Sequence, residues 1–227
     1  MDSHTGQMSS LRGGDAIRRA AGRLRETLTA PGLSQAMAAY FDPAEGFAGM
    51  SFCTLGQNPP GAVTAGDLLA VSLLDIAWRP EAVRQLLGIE AGRVSAMLST
   101  IPADADLWAV SDAEVATVDP LWDALLEMPG VGTATASKLL ARKRPRLCPA
   151  TDKVVIRAAG LPGQTWEVLR CLLQDPRARA DLEAMRPPEA AGASVLRLLD
   201  VAIWITHSPA REAQRARLAG RGRGRAA

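Results

Sequence analysis

The stretch from Leu125 to Asp152 most constrains what this chain can fold into. It reads Leu-Leu-Glu-Met-Pro-Gly-Val-Gly-Thr-Ala-Thr-Ala-Ser-Lys-Leu-Leu-Ala-Arg-Lys-Arg-Pro-Arg-Leu-Cys-Pro-Ala-Thr-Asp. Trp122, Leu125, Leu126 and Met128 recur at the spacing of one buried helix face. Pro129, Gly130 and Gly132 end that helix, because glycine permits tight turns and close backbone approach. Thr133 can cap a second helix whose apolar face is Ala136, Leu139 and Leu140. The amides of Gly130, Gly132 and Thr133 would then lie free at a helix N-terminus, where the dipole favours an anion such as a phosphate. The second helix ends in Arg142-Lys143-Arg144. Its plain reading is a solubilising helix end. Beside such a hairpin, contact with phosphates is the stronger expectation.

Charge is distributed unevenly. Residues 41–132 hold 13 acidic and 3 basic residues, a net of −10, and residues 133–227 hold 18 basic and 8 acidic residues, a net of +10. A basic half beside a phosphate-binding hairpin points to a polyanion, and DNA is the expected partner. The chain is rich in alanine and leucine, with 4% aromatic residues and few β-branched runs, which favours helix over strand. At 227 residues and 48% hydrophobic content it can bury a sizeable core. No apolar run approaches the roughly 20 residues of a membrane span, and the polar N-terminus carries no signal-peptide pattern. Cys53, Cys148 and Cys171 lie far apart, which suits a reducing, cytoplasmic setting. His4 and His207 form no metal-ligand cluster, so no catalytic metal is expected.

Along the chain, residues 1–14 read as a disordered N-terminus, residues 15–208 as one helical domain, and residues 209–227 as a mobile basic tail with six arginines and one glutamate. Ile17, Ala21, Leu24 and Leu28 fall on one helix face, and Pro31-Gly32 breaks that helix. Met50 to Leu55 could be a short strand. Thr64 is a good N-cap with Asp67 in the first turn. Ala65 to Ala77 is apolar on all sides and reads as a buried central helix.

Met128-Pro-Gly-Val-Gly-Thr-Ala-Thr-Ala136, followed by Pro149 and Asp152, resembles the helix-hairpin-helix Gly/Pro…Asp glycosylase superfamily, which includes endonuclease III and MutY-type adenine glycosylases. The match lies around residues 120–157, about a sixth of the chain. The resemblance implies a mainly α, two-lobed helical fold with its hairpin at 120–144, DNA and base sites in the cleft between the lobes, and a monomer. It also implies DNA contacts at Gly130, Val131, Gly132, Thr133, Thr135, Lys138, Arg142, Lys143, Arg144 and Lys153. A structural monovalent cation sits on the hairpin carbonyls of relatives. Some relatives carry a four-cysteine iron–sulfur cluster, which three cysteines cannot supply, so no cluster and no other cofactor is expected here.

Cleaving an N-glycosidic bond builds positive charge on the sugar, and a carboxylate beside the anomeric carbon stabilises it. Asp152 matches the superfamily's catalytic aspartate. Taken alone it is an ordinary N-cap before Val154-Val155-Ile156. Bifunctional relatives carry a Schiff-base lysine where this chain has Ala134, so a monofunctional enzyme is expected, hydrolysing with water and leaving an abasic site. Lys138 lies about one turn further on, roughly 5–6 Å away, which is large for covalent attack. Excision also needs the base out of the stack and gripped. Tyr40, Phe47 and Phe52, in or beside a glycine-rich loop, are the pocket candidates, while Trp78, Trp108, Trp122, Trp166 and Trp204 read mainly as core. Asp75, at the end of the expected central helix, could accept a hydrogen bond from a base amino group or simply cap or face solvent. A pocket glutamine of several relatives has no counterpart near Asp75 or Ile76, so the base stays open. It could be a damaged base in repair or a modified base, such as a hypermodified cytosine, in phage DNA. The alternatives are a noncatalytic helix-hairpin-helix DNA-binding protein and a metal-dependent nuclease, and the latter lacks a carboxylate cluster.

Overall fold

Start and stop signals divide this alanine- and leucine-rich chain into many short helices. A computed structural model describes the backbone of residues 3–226 and the side chains of residues 14–224. Helices α1 (Ser3–Arg25) and α2 (Leu33–Phe41) are separated by a 3-10 turn at Glu26–Thr29 and by Gly32, whose φ of 75° makes the break. Ala21, Leu24 and Leu28 of this segment are buried as their spacing implies. From Ser3 on, the segment expected to be disordered continues the helix of α1, propagated from the turns that pack on α11 (Thr165–Gln174). Met1 and Asp2 lie outside the described residues.

Next come α3 (Ser51–Thr54), α4 (Ala65–Ser72), α5 (Pro80–Arg84), α6 (Ala91–Thr100), α7 (Asp112–Ala116) and α8 (Asp119–Leu126). The expected strand at 50–55 is the single turn of α3, and no strand occurs among the described residues. The chain completes itself with α9 (Thr133–Lys143), α10 (Lys153–Ala159), α11, α12 (Pro176–Ala184), α13 (Val195–His207) and α14 (Arg211–Ala226). The fold is therefore mainly α. No described helix is long and apolar enough to cross a membrane.

The expected central helix is shorter and less buried than its composition suggests. Thr64 and Asp67 form a capping box that starts α4, as their order implies. The helix ends at Ser72, however, and Leu69 and Leu73 are 61% and 43% exposed. Two side chains claim the carbonyls at its end: the Trp78 indole donates to Leu68 O at 2.9 Å and Lys138 Nζ donates to Leu74 O at 2.8 Å. The deeply buried helix is α13, in which Leu198, Leu199, Val201, Ala202, Ile203 and Ile205 are almost sealed from solvent.

The tail expected to be mobile is helix α14, lying along α2. Ala213, Ala216 and Gly220 form its inner face, and Gly220 approaches the Ala36 backbone so closely that a Cβ there would stand 2.6 Å from Ala36 N. Its arginines are partly committed to the protein itself. Arg223 pairs with Asp42, and Arg217 donates to Ser208 O at 3.3 Å. Ala227 lies outside the described residues.

Candidate active site

The hairpin forms where the sequence puts it, between α8 and α9, with one change at its cap. Gly132, not Thr133, is the N-cap residue, with an extended backbone and no side-chain cap bond; Thr133 is the first helical residue. Gly130 has φ +80°, and a Cβ there would fall 2.4 Å from Arg79 Cδ. The Arg79 side chain thus lies across the turn, an exposed cation beside the exposed Gly130, Gly132 and Thr133. Val131 and Thr135 point inward and are buried, so their side chains cannot meet DNA as expected. The Pro129 and Gly130 carbonyls take no backbone hydrogen bond among the described residues. No group of His, Cys, Asp and Glu among the described residues could hold a metal ion, and Cys53, Cys148 and Cys171 are free thiols. Burial pushes the Cys148 thiol well up from its ordinary value.

The basic triplet is the main correction. Arg142, Lys143 and Arg144 are only 2%, 4% and 2% exposed, so they are out of reach of phosphates. They instead tie the end of α9 to the segment before and around α4 and to the end of α6. Arg142 donates to Asp67 Oδ1 (3.1 Å), Phe52 O (2.7 Å) and Leu55 O (2.7 Å). Lys143 donates to Asn58 Oδ1 (2.6 Å), Pro59 O (2.7 Å) and Asp67 Oδ2 (3.0 Å). Arg144 donates to the carbonyls of Ile101, Pro60 and Leu98. Buried charges persist only when satisfied in this way. Burial lowers the Lys143 ammonium's pKa, with Asp67 opposing.

After the triplet, Ser137 locks the return of the chain. Its hydroxyl donates to Thr151 O at 2.7 Å and accepts from Thr151 N at 2.8 Å. This fixes α9 to the residue before Asp152. Asp152 is the N-cap of α10, its Oδ1 accepting from Val154 N (2.8 Å) and Val155 N (3.0 Å). Oδ2 accepts no hydrogen bond among the described residues. The cap fixes the carboxylate's rotamer and leaves its second oxygen without a protein partner among the described residues.

Asp152 borders a cavity of about 310 Å³, at the lower end of the size of small-molecule sites, on the order of 300–1,000 Å³. Five residues singled out on separate stretches of the sequence meet there: Tyr40, Phe47, Asp75, Lys138 and Asp152. Tyr40 and Phe47 stack with centroids 5.5 Å apart and planes at 25°, and Trp204 leans on Tyr40 at 5.6 Å. Asp75 is the only non-glycine residue among those described with positive φ (60°), at the turn that follows α4. Aspartate tolerates that region better than most residues, and such outliers cluster at functional sites. Phe52 does not join this group. It is buried under Arg197, 4.8 Å from its ring, and borders a second cavity of about 450 Å³ that shares Arg197 and Asp200 with the first. Lys153 is exposed and lines neither cavity.

The sequence reading missed the opposite wall. Arg197 donates to Asp200 Oδ2 at 2.5 Å and to the Tyr40 hydroxyl at 2.9 Å. Burial raises the pKa of the Asp200 carboxyl, Arg197 opposes this, and the nearby Asp152 adds to it. Burial likewise raises the Tyr40 phenol. The signal lay in α13, where Arg197, Asp200 and Trp204, spaced by three and four, share one face of an otherwise apolar helix. From α14 come Glu212 and Arg215, whose guanidinium lies 4.2 Å from the Phe47 ring centre and donates to Glu45 O at 3.1 Å.

Residues 34–207 match the model of DUF6308, a family of unknown function, and the chain belongs to that family. No curated protein and no solved structure matches it.

Proposed function

We propose that this DUF6308 chain is a monofunctional DNA glycosylase of the helix-hairpin-helix Gly/Pro…Asp type, which flips a base into the aromatic cavity and hydrolyses its N-glycosidic bond. One observation carries the reading. Asp152, at the superfamily's distance from the hairpin, borders the same cavity as the aromatic side chains of Tyr40, Phe47 and Trp204. In this reading DNA lies across the hairpin. Phosphates meet the amides of Gly130 and Gly132 and the exposed Arg79 and Lys153, while Val131, Thr135 and the triplet stay inside the protein. The target base enters the cavity that Tyr40, Phe47 and Trp204 border. The Asp152 carboxylate stabilises positive charge on the sugar as the bond breaks, and water completes the hydrolysis. Lys138 is tied to Leu74 O, which holds its amine by the cavity wall, and Ala134 offers no Schiff-base lysine. A cation on the Pro129 and Gly130 carbonyls would brace the hairpin.

The test is base release from DNAs bearing alkylated, oxidised, deaminated and phage-type modified bases, with and without EDTA. Strand breaks that appear only after alkali, resist EDTA and vanish in Asp152→Asn support the proposal, and the panel names the base. The second reading, a noncatalytic DNA-binding protein, is favoured by the N-cap bonds of Asp152, which give that residue a purely structural reason to exist. It gains if DNA binds tightly and Asp152→Asn changes neither binding nor any substrate.

A further inference from the structure

The chain has one tyrosine, Tyr40, next to last in α2, and its hydroxyl is only half accounted for. Arg197 of α13 donates to the Tyr40 oxygen at 2.9 Å. A guanidinium cannot accept a hydrogen bond, so the phenol is the acceptor in that contact and its own proton is left over. That proton has no acceptor among the described residues. Tyr40 is only 5% exposed, so the unused donor lies inside the protein, where leaving it unmade is costly. Tyr40 borders the Asp152 cavity and not the larger one, so the open space beside it is the Asp152 cavity. The bond from Arg197 draws electron density from the phenol oxygen and makes its O–H a stronger donor. Burial raises the phenol's pKa and Arg197 opposes this, so the group stays neutral and keeps its proton at ordinary pH.

We infer that the Tyr40 hydroxyl, backed by Arg197, is a fixed hydrogen-bond donor for the cavity's ligand, which presents an acceptor there: a ring nitrogen or keto oxygen of a planar heterocycle. The donor follows from the hydrogen bonds alone, and the heterocycle rests on the glycosylase reading. In that reaction the C1′–N bond breaks, its electron pair passes to the base, and a water oxygen bonds to C1′. The water loses a proton to solvent, and solvent protonates the freed base. Tyr40 keeps its own proton throughout and lends the departing base a hydrogen bond that strengthens as negative charge builds on it.

Because Tyr40 is the only tyrosine, labelling tyrosine with 13C at Cζ gives the full chain one signal, read without any substitution. Pyrimidine and benzene match in shape and differ in ring acceptors. Saturating pyrimidine should shift the Tyr40 Cζ signal, and benzene should leave it in place. In Tyr40→Phe, the affinity for pyrimidine relative to benzene, followed by ligand-observed NMR, should fall about tenfold, the size of one hydrogen bond. Taking the ratio cancels any loosening of the cavity by the substitution. Equal shifts from both probes, no shift from either, or an unchanged ratio in Tyr40→Phe overturns the inference. Base release from DNA is scored separately, and Tyr40→Phe should slow its single-turnover rate about a hundredfold. Release that Asp152→Asn abolishes but Tyr40→Phe leaves at full rate overturns this inference and leaves the glycosylase reading intact. A pyrimidine-dependent shift with no release from any DNA sinks the glycosylase reading and leaves the donor standing.

Discussion

The two oxygens of Asp152 are unequally used, and the proposed function gives the second one a task. Oδ1 caps α10 and Oδ2 takes no partner among the described residues. The tasks separate by substitution. Asp152→Asn keeps a good capping side chain and should leave stability nearly unchanged, and under the proposed function it should abolish base release. Asp152→Ala should lose release and also about 1 kcal/mol of stability in urea unfolding. If Asn cost as much stability as Ala, the cap account would be wrong. Gly130 is constrained from two directions, by its φ of +80° and by the Arg79 side chain across it. Gly130→Ala should therefore cost roughly 1–2 kcal/mol from the left-handed backbone, and adding Arg79→Ala should recover only the crowding. Both residues were legible in the sequence, because a hairpin glycine and an aspartate before an apolar run carry their physics locally. The triplet Arg142-Lys143-Arg144 was misread because the carbonyls and the Asp67 carboxylate that satisfy it come from sequence positions about 40–90 residues earlier.

At the scale of elements, α4 and α9 are joined through one buried carboxylate. Asp67 closes the capping box of α4 and binds Arg142 and Lys143 of α9. Asp67→Ala would strand two buried cations and should cost about 3–5 kcal/mol in chemical denaturation. A loss under 1 kcal/mol would show that the cations find other partners. The end of α13 carries a titratable contact: His207 Nε2 lies 2.8 Å from the Thr27 hydroxyl, and burial lowers the ring's pKa from 6.5. Below pH 6.5 the unfolded chain takes up a proton that the folded chain resists, so stability falls with falling pH until the folded ring also protonates. Thermal midpoints followed from pH 8 to pH 5 should show this slope, and His207→Gln should remove it. The face of α13 shows why half the cavity wall escaped notice. Periodicity identified a helix, but whether Arg197, Asp200 and Trp204 face a cavity or a neighbour depends on α2, far away in the chain, and on how the following α14 folds back.

Over the whole molecule, the contrast between a net −10 segment and a net +10 segment was legible as a count but not as a surface. Four of the cations, Arg142, Lys143, Arg144 and Arg197, lie inside the protein, and Arg215, Arg217 and Arg223 are bound to its own carbonyls or carboxylates. Helical class could be read because alanine, leucine and the caps act locally. The seating of α14 on α2 could not, because alanine and glycine in a basic tail look the same whether they face water or a neighbour. That seating can be tested. Gly220→Ala would place its Cβ against Ala36 N and should lift α14, speeding hydrogen exchange over 211–224 while the α13 amides stay protected. Unchanged exchange in α14 would show that α2 yields instead.

The chain's lysines, Lys138, Lys143 and Lys153, occupy three depths. Lys153 is exposed, Lys138 is half-buried at the cavity with its amine on Leu74 O, and Lys143 is buried among oxygens. An amine-acylating reagent thus meets a three-position gauge built into the protein. Lys153 should be modified at once and Lys138 more slowly, its rate dropping further whenever the cavity is filled. Lys143 should be modified only at the rate at which the fold opens.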